Sequence, residues 1–241
     1  MSNGWYLNYF GEDYFQFDNH NDTALEVDGL IRLIGSPEVK KILDLGCGYG
    51  RVSMPLRKRG YTVFGYDISS TLLKRAGQTD PEGIWVRGDM RELPFQGSFE
   101  IVINLFNTMG YFENEDENFE VLRSISKALC NGGRFICQLV NRDYLIRHFV
   151  PQEVHRKNDS ILIEEREFNS IENRVNTKTT IINSTEKREY ETSIRIYTVT
   201  ELDLLLAAAG MTIREIHGGL DFRPYNWDTN QLVLIAERNE Q

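Results

Sequence analysis

From residue 41 to about 141 the chain alternates short apolar runs with amphipathic stretches. That is the pattern of a parallel sheet whose strands are joined by helical crossovers. The runs are Ile42–Leu45, Thr62–Tyr66, Ile84–Arg87, Ile101–Phe106 and Arg134–Val140, with helices predicted near 51–59, 69–77 and 116–130. In the last helix Phe119, Leu122, Ile125 and Leu129 recur at helical spacing, and Asn131-Gly132-Gly133 is the expected stop. Upstream, Asn21 or Asp22 is placed to cap a helix with Ala24, Val27, Leu30, Ile31 and Ile34 on one face, closed by Gly35 and Pro37.

After Val140 the helical period stops. Ile161–Phe168, Arg174–Ile182 and Arg188–Tyr197 are rich in β-branched residues and separated by Asn, Ser and Glu, as antiparallel strands are. Thr198-Val199-Thr200-Glu201 then predicts a capping box opening a helix with Leu202, Leu205, Leu206 and Ala209 inward and Gly210 at its end. Strands at 211–216 and 232–237 complete the pattern. The expected organisation is an N-terminal helical cap (1–36), an α/β domain (37–150 and 198–241) and an antiparallel β insertion (151–197).

A chain of 241 residues, 41% hydrophobic and 26% charged, can bury a core and fits neither disorder nor a fibrous repeat. The formal charge of −9 argues against a large phosphate-binding face and against nucleic acid as a partner. The first residues lack the basic and apolar blocks of a signal peptide, and no apolar run approaches the roughly 18–20 residues that cross a bilayer. A soluble cytoplasmic protein without membrane contacts is expected. Cys47, Cys130 and Cys137 form no CxxC pair, and no metal site is expected.

The strongest chemical signal is Ile42-Leu43-Asp44-Leu45-Gly46-Cys47-Gly48-Tyr49-Gly50-Arg51. A strand running into Gly-x-Gly-x-Gly lets backbone approach a ligand closely at a helix N-terminus. The dinucleotide fingerprint is spaced Gly-x-Gly-x-x-Gly, and Arg51 stands where its third glycine belongs. Asp44 would repel a pyrophosphate and favour an ammonium. Two more acids end successive strands, Asp67 in Gly65-Tyr66-Asp67 and Asp89 in Gly88-Asp89-Met90, along the edge where open α/β sheets collect ligands. Either alone has a reading as a helix cap or turn.

These motifs resemble the class I S-adenosylmethionine-dependent methyltransferases. ILDLGCGYGR is similar to their glycine motif, GYDIS to the ribose-binding acid, RGDMRELPF to the adenine-side motif and FEIVINLF to the fourth strand. Cys130-Asn131-Gly132-Gly133 is similar to the turn before the fifth strand, with Asn131 where Pro is usual. The β insertion followed by Arg195-Ile196-Tyr197-Thr198 is similar to bacterial small-molecule methyltransferases, among them enzymes acting on deoxyamino sugars. The resemblance implies a Rossmann-like, mostly parallel seven-stranded sheet with helices on both faces, carrying S-adenosylmethionine and releasing S-adenosylhomocysteine. It implies that Gly46, Cys47, Gly48 and Gly50 line the methionine moiety and that Asp44 supports its ammonium. Asp67 would take the ribose hydroxyls and Asp89 the adenine amino group, with Ile68 and Met90 on the ring faces and Leu105 beside them. Tyr9 and Tyr14 are candidates for the carboxylate; packing among Trp5, Tyr6, Phe10, Phe15 and Phe17 is the alternative.

Methyl transfer from a sulfonium is an in-line displacement, and alignment with exclusion of water supplies much of its rate. No compelling base stands out: His20, His148, His155 and His217 show no metal spacing, and His217 is the best placed. Facing a small-molecule acceptor, the candidates are Asn107 and Tyr111 after the fourth strand, Arg195 on the insertion, and His217, Arg223 and Tyr225 in the last connection. For Arg195 a strand-face ion pair is the competing reading. A monomer or homodimer is expected. The rival functions are a non-catalytic cofactor-binding protein and a nicotinamide oxidoreductase, for which the spacing is wrong.

Overall fold

The computed structural model describes residues 4–17, 22–37 and 40–240. His20 and Asn21 lie outside the described residues. The N-terminal part forms α1 (Tyr6–Tyr9), α2 (Glu12–Phe17) and α3 (Thr23–Ile34). An alternating series follows: β1 (Lys41–Leu45), α4 (Ser53–Lys58), β2 (Thr62–Asp67), α5 (Ser70–Thr79), β3 (Ile84–Arg87), β4 (Phe99–Asn104), α6 (Glu115–Ala128), β5 (Leu129–Val140) and α7 (Arg142–Arg147). Next come β6 (Gln152–Lys157), β7 (Ser160–Asn169), β8 (Arg174–Ile182) and β9 (Lys187–Arg195). The chain ends with α8 (Val199–Ala208), β10 (Met211–His217) and β11 (Gln231–Arg238).

Seven strands make one sheet in the order β10-β11-β5-β4-β1-β2-β3. β1, β2, β3, β4 and β5 pair in parallel, while β11 is antiparallel to both β5 and β10. Two reversals leave β10 running with the parallel strands. The central strands are buried on both faces, and alternation divides their side chains between two cores. Leu43, Leu45 and Val102 meet α6 and α8 through Leu122, Ile125, Leu202 and Leu206. Ile42, Ile101 and Ile103 meet α3 and α4 through Leu30, Ile34 and Leu56. That is the parallel sheet with helical crossovers expected from the alternation, and the Rossmann-like architecture the resemblance implies. Among the described residues no helix is long and apolar enough to cross a membrane.

β6, β7, β8 and β9 form a second, wholly antiparallel sheet of hairpin-connected neighbours. Three of its strands fall where β-branched residues predict them. β6 is an addition: Gln152–Lys157 has little β propensity of its own and is extended because β7 offers it a partner. The capping box at Thr198 and Glu201 is formed, with both reciprocal bonds present.

Several local expectations change. Asn131-Gly132-Gly133 lies inside β5, since α6 ends at Ala128 and Leu129 is already extended. Asp22 occupies the N-cap of α3 but makes no side-chain cap hydrogen bond. The fourth strand stops at Asn104 because Phe106 and Asn107 take left-handed backbone, φ 59° and 58°.

Candidate functional site

The carboxyl ends of β1, β2, β3 and β4 open on one cavity. After Leu45 the backbone turns with Gly46 at φ +77°, and both Gly46 and Cys47 donate their N–H to the carbonyl of Tyr66. A β-carbon on Gly46 would stand 2.4 Å from Thr108 Cγ2, so only glycine fits between this loop and the one after β4. Gly48 N–H donates to Asp67 Oδ2 at 2.8 Å and Ser69 N–H to Asp67 Oδ1 at 2.7 Å. Asp67 thus fastens the glycine loop to the end of β2 while lining the cavity.

The three acids are set differently. Asp44 is buried and accepts from Ser53 Oγ at 2.5 Å. Burial pushes its carboxyl up to about 6, the Ser53 bond opposing and the nearby Asp67 charge assisting the rise. Burial also raises Asp67, against its backbone donors. At Asp89 burial acts upward, but hydrogen bonds from Arg91 outweigh it and hold the carboxyl below its ordinary value. Arg91 grips both Asp89 oxygens, reaches Glu117 and lies over the Phe112 ring at 4.4 Å.

A buried carboxylate whose ionisation is resisted by burial is complementary to an ammonium. Arg51 meets the opposite charge: it donates to Thr23 Oγ1 and Glu26 Oε2, each at 2.7 Å, and stacks on Phe106 at 3.8 Å. Its Nη2 is buried with no partner among the described residues, and the side chain lines the cavity. Asp44 and Arg51 therefore suit the two ends of an α-amino acid, Asp67 a vicinal diol, and Ile68, Met90 and Leu105 a flat ring. The donor set fits S-adenosylmethionine. Sequence reasoning read Arg51 only as a missing glycine; its place at the end of the glycine motif was the available signal.

Tyr6, Phe10 and Tyr14 close the cavity from the N-terminal side and Thr108, Tyr111 and Phe112 from the loop after β4. Tyr9 stays out of this wall. It meets Tyr190 of β9 edge-on at 5.8 Å, and burial raises its phenol. Gly50 is also outside the wall; a β-carbon there would meet Trp85 at 2.6 Å, so its glycine makes room for β3. Asp13 accepts from Tyr190 Oη at 2.6 Å and pairs with Arg188 at 2.8 Å, tying α2 to the second sheet. Ser69 Oγ donates to the Phe10 carbonyl at 2.7 Å, tying the same segment to the main sheet.

A second, larger cleft of about 1590 Å³ lies among the second sheet, residues 4–6, and the start of α6 and of α8. Tyr6, Tyr111 and Phe112 belong to the walls of both cavities. Burial drives the Tyr111 phenol far upward, so it is neutral.

The remaining acceptor-facing candidates divide. Arg195 lines the larger cleft, paired with Glu201 and bonded to the Ile196 carbonyl at 2.6 Å. Asn107 lines neither cavity, because its left-handed backbone turns Oδ1 onto Val140 N–H. His217 faces Glu215 at 2.9 Å and Phe222. Arg223 is exposed and closes on Asp221 two residues back. Tyr225 Oη donates to Asn141 Oδ1 at 3.0 Å, and Asn141 Nδ2 holds the carbonyls of Asn226 and Thr229. The last connection is therefore folded onto the end of β5 and away from the cleft. Glu153, His155 and Glu164 also converge, on β6 and β7, but Arg166 already pairs with both carboxylates.

Residues 42–133 match the family model of a methyltransferase domain. The cypemycin N-terminal methyltransferase of a Streptomyces species is 25% identical over 256 aligned residues, 91% of this chain and 97% of the relative. The dTDP-3-amino-3,4,6-trideoxy-alpha-D-glucopyranose N,N-dimethyltransferase of Streptomyces venezuelae is 28% identical over 123 residues, so that this chain spans 52% of its length. Other curated relatives match over shorter stretches, down to 30% of their length. Among solved structures, the CcbJ methyltransferase from Streptomyces caelestis superposes with a TM-score of 0.83 at 19% identity, over 96% of this chain and 98% of that one. That likeness is one of fold.

Proposed function

We propose that this chain, a class I S-adenosylmethionine-dependent methyltransferase, transfers the cofactor's methyl group to an amine of a small molecule held in the larger cleft. The observation that carries this reading is the shared wall: Tyr6, Tyr111 and Phe112 face the cofactor-type cavity on one side and the larger cleft on the other. A donor and an acceptor placed in the two spaces meet at those three rings.

When bound, S-adenosylmethionine would supply a methyl group on a sulfonium for an acceptor nitrogen, the electron pair of the broken C–S bond staying on sulfur. This chain's part is to bind, orient and exclude water. Asp44 would hold the ammonium of the methionine moiety, Arg51 its carboxylate, Asp67 the ribose hydroxyls and Asp89, already fixed by Arg91, the adenine amino group. Tyr6, Tyr111 and Phe112 line the cavity with aromatic rings, whose faces attract cations and which admit little water. The nitrogen must lose its proton before attack. His148, His155 and His217 line neither cavity, so that proton goes to water or to a cleft glutamate such as Glu115. The second sheet and residues 4–17 serve as the roof of the acceptor site, and a small molecule suits it better than a nucleic acid, given the charge of −9.

Amine relatives support nitrogen as the accepting atom: one is named for a peptide N-terminus, the other for an amino sugar. The test is transfer of a labelled methyl group from S-adenosylmethionine to a set of small primary amines and matched alcohols. Labelled amines are expected. Cofactor binding without transfer to either set would leave a non-catalytic binding protein, and comparable binding of NAD would remove the assignment.

A further inference from the structure

We infer that the acceptor is a small polyamine: it carries positive charge beyond the nitrogen that is methylated, and no phosphate. This rests on the reading of the larger cleft as the acceptor site and goes on to its ligand chemistry. Among the described residues eight glutamates line the cleft, against three arginines and one lysine.

Each of the four cations is already engaged. Arg166 pairs with Glu153 at 2.5 Å and with Glu164. Arg195 pairs with Glu201. Lys178 turns to Glu189 at 3.5 Å. Arg174 is 6% exposed and spends its guanidinium on Ser193 Oγ and on the carbonyls of Ser193 and Gly110. Among the described residues no lining cation is left for a phosphate or a carboxylate.

The acids are less well matched. Strand register sets Glu165, Lys178 and Glu191 in one row across β7, β8 and β9, and Glu167, Asn176 and Ser193 in the next. Glu165, Glu167 and Glu191 form no ion pair among the described residues. Rows two residues apart along a strand are separated by about 7 Å, and all three carboxylates act within a Debye length of one another. Toward the cofactor cavity the cleft ends in Trp5, Tyr6, Tyr111 and Phe112, with Trp5 edge-on to Tyr111 at 4.8 Å. Aromatic rings at one end and unpaired carboxylates at the other both favour cations over anions. A nucleoside diphosphate would set its phosphates among carboxylates with every nearby cation taken.

The experiment uses the full chain loaded with S-adenosylhomocysteine and three probes: spermidine, propylamine and dTDP. Calorimetry is expected to show spermidine binding at least about tenfold more tightly than propylamine, a difference of about 1.4 kcal/mol, weakening as salt is raised. Binding of dTDP is expected to be undetectable. Replacing Glu165, Glu167 and Glu191 together by glutamine should weaken spermidine at least about fivefold and leave S-adenosylhomocysteine within about twofold. These are exposed strand positions, so the fold should be unaffected, as a melting curve checks. Equal affinity for spermidine and propylamine, tighter binding of dTDP, or an unchanged glutamine variant would each overturn the inference. If these occur while amines are still methylated, only the polyamine assignment fails; loss of S-adenosylhomocysteine binding in the wild-type chain would instead remove the methyltransferase reading beneath it.

Discussion

The backbone N–H of Arg195 donates to the carbonyl of Gly110 at 2.8 Å, and a β-carbon on Gly110 would stand 2.3 Å from the Arg195 carbonyl oxygen. The loop that carries Tyr111 and the last strand of the second sheet are thus in backbone contact. Arg174 adds a side-chain bond to the same Gly110 carbonyl at 3.4 Å.

Gly110→Ala should therefore be much more damaging than an ordinary glycine replacement. Gly110 is at φ +87°, so alanine is strained there by about 1–2 kcal/mol before the collision with Arg195 is counted, and overpacking adds about 1–3 kcal/mol. Gly132→Ala is the control: φ is +69°, with nothing within 4 Å of the added carbon. Denaturant unfolding should show Gly110→Ala the less stable of the two by at least about 1 kcal/mol, and acceptor turnover should fall only in Gly110→Ala. Equal losses would show that β9 yields freely.

Asp67→Ala should affect the protein with and without ligand. It leaves the N–H groups of Gly48 and Ser69 without their carboxylate, a loss of about 1–3 kcal/mol of stability. S-adenosylhomocysteine affinity should drop at least about tenfold beyond that. Asp67→Asn keeps an acceptor and should recover part of the stability but not the affinity. Thermal shift with and without ligand separates the two effects.

Asp44 makes a signed prediction about pH. Its folded-state value, about 6, lies above the ordinary 3.8, so between roughly pH 4 and 6 the folded chain keeps a proton that the unfolded chain has released. Stability from this group is full below that window, falls as pH rises through it, and is lower by about 3 kcal/mol above it. Affinity for S-adenosylhomocysteine runs the other way, since the ammonium needs the ionised carboxylate: it should rise about fivefold from pH 5 to pH 6, about twofold more by pH 7, and level off above that. In Asp44→Asn the stability curve should flatten over this range. Calorimetry and unfolding across pH 4–7 test both, and a flat wild-type profile would contradict the assignment.

Arg51→Gln should discriminate between ligands. S-adenosylhomocysteine carries the carboxylate that Arg51 Nη2 is placed to meet; 5′-methylthioadenosine has no amino-acid tail. Losing the charge-assisted bond should weaken the first at least about tenfold and the second less than about threefold. Some stability is also lost through Thr23 and Glu26, which is why the ratio of affinities is the measure.

The half of the proposed site that lies along the strand ends was legible because its pattern is local. Asp44, Asp67 and Asp89 each end or follow a strand, and apolar periodicity is enough to align those strands on one edge. The acceptor half depends on side-chain direction and on partners far along the chain. Nothing near Asn107 signals that its amide serves Val140, nor near Tyr225 that its hydroxyl serves Asn141. Arg195 follows the reading of a strand ion pair, with Glu201, which also caps α8. The aromatic N-terminus divides tyrosine by tyrosine: Tyr14 lines the cavity at the strand ends while Tyr9, its ring 6.0 Å away, packs on the second sheet. β6 was hidden for a similar reason: its partner makes it a strand.

The hairpin order of β6, β7, β8 and β9 bears on how the chain tolerates change. β5 must find β11 across a long connection, Val140 pairing with Gln231. Loop-closure entropy grows only with the logarithm of length, about 0.6 kcal/mol for each doubling. The inserted strands pair only with their sequence neighbours, so once formed they remove about half of that connection from the freely moving chain. Lengthening a hairpin turn, such as the one between Ile182 and Lys187, therefore alters the closure of the main sheet very little. The second sheet can diverge at its turns, strand by strand, while the seven-stranded sheet continues to assemble.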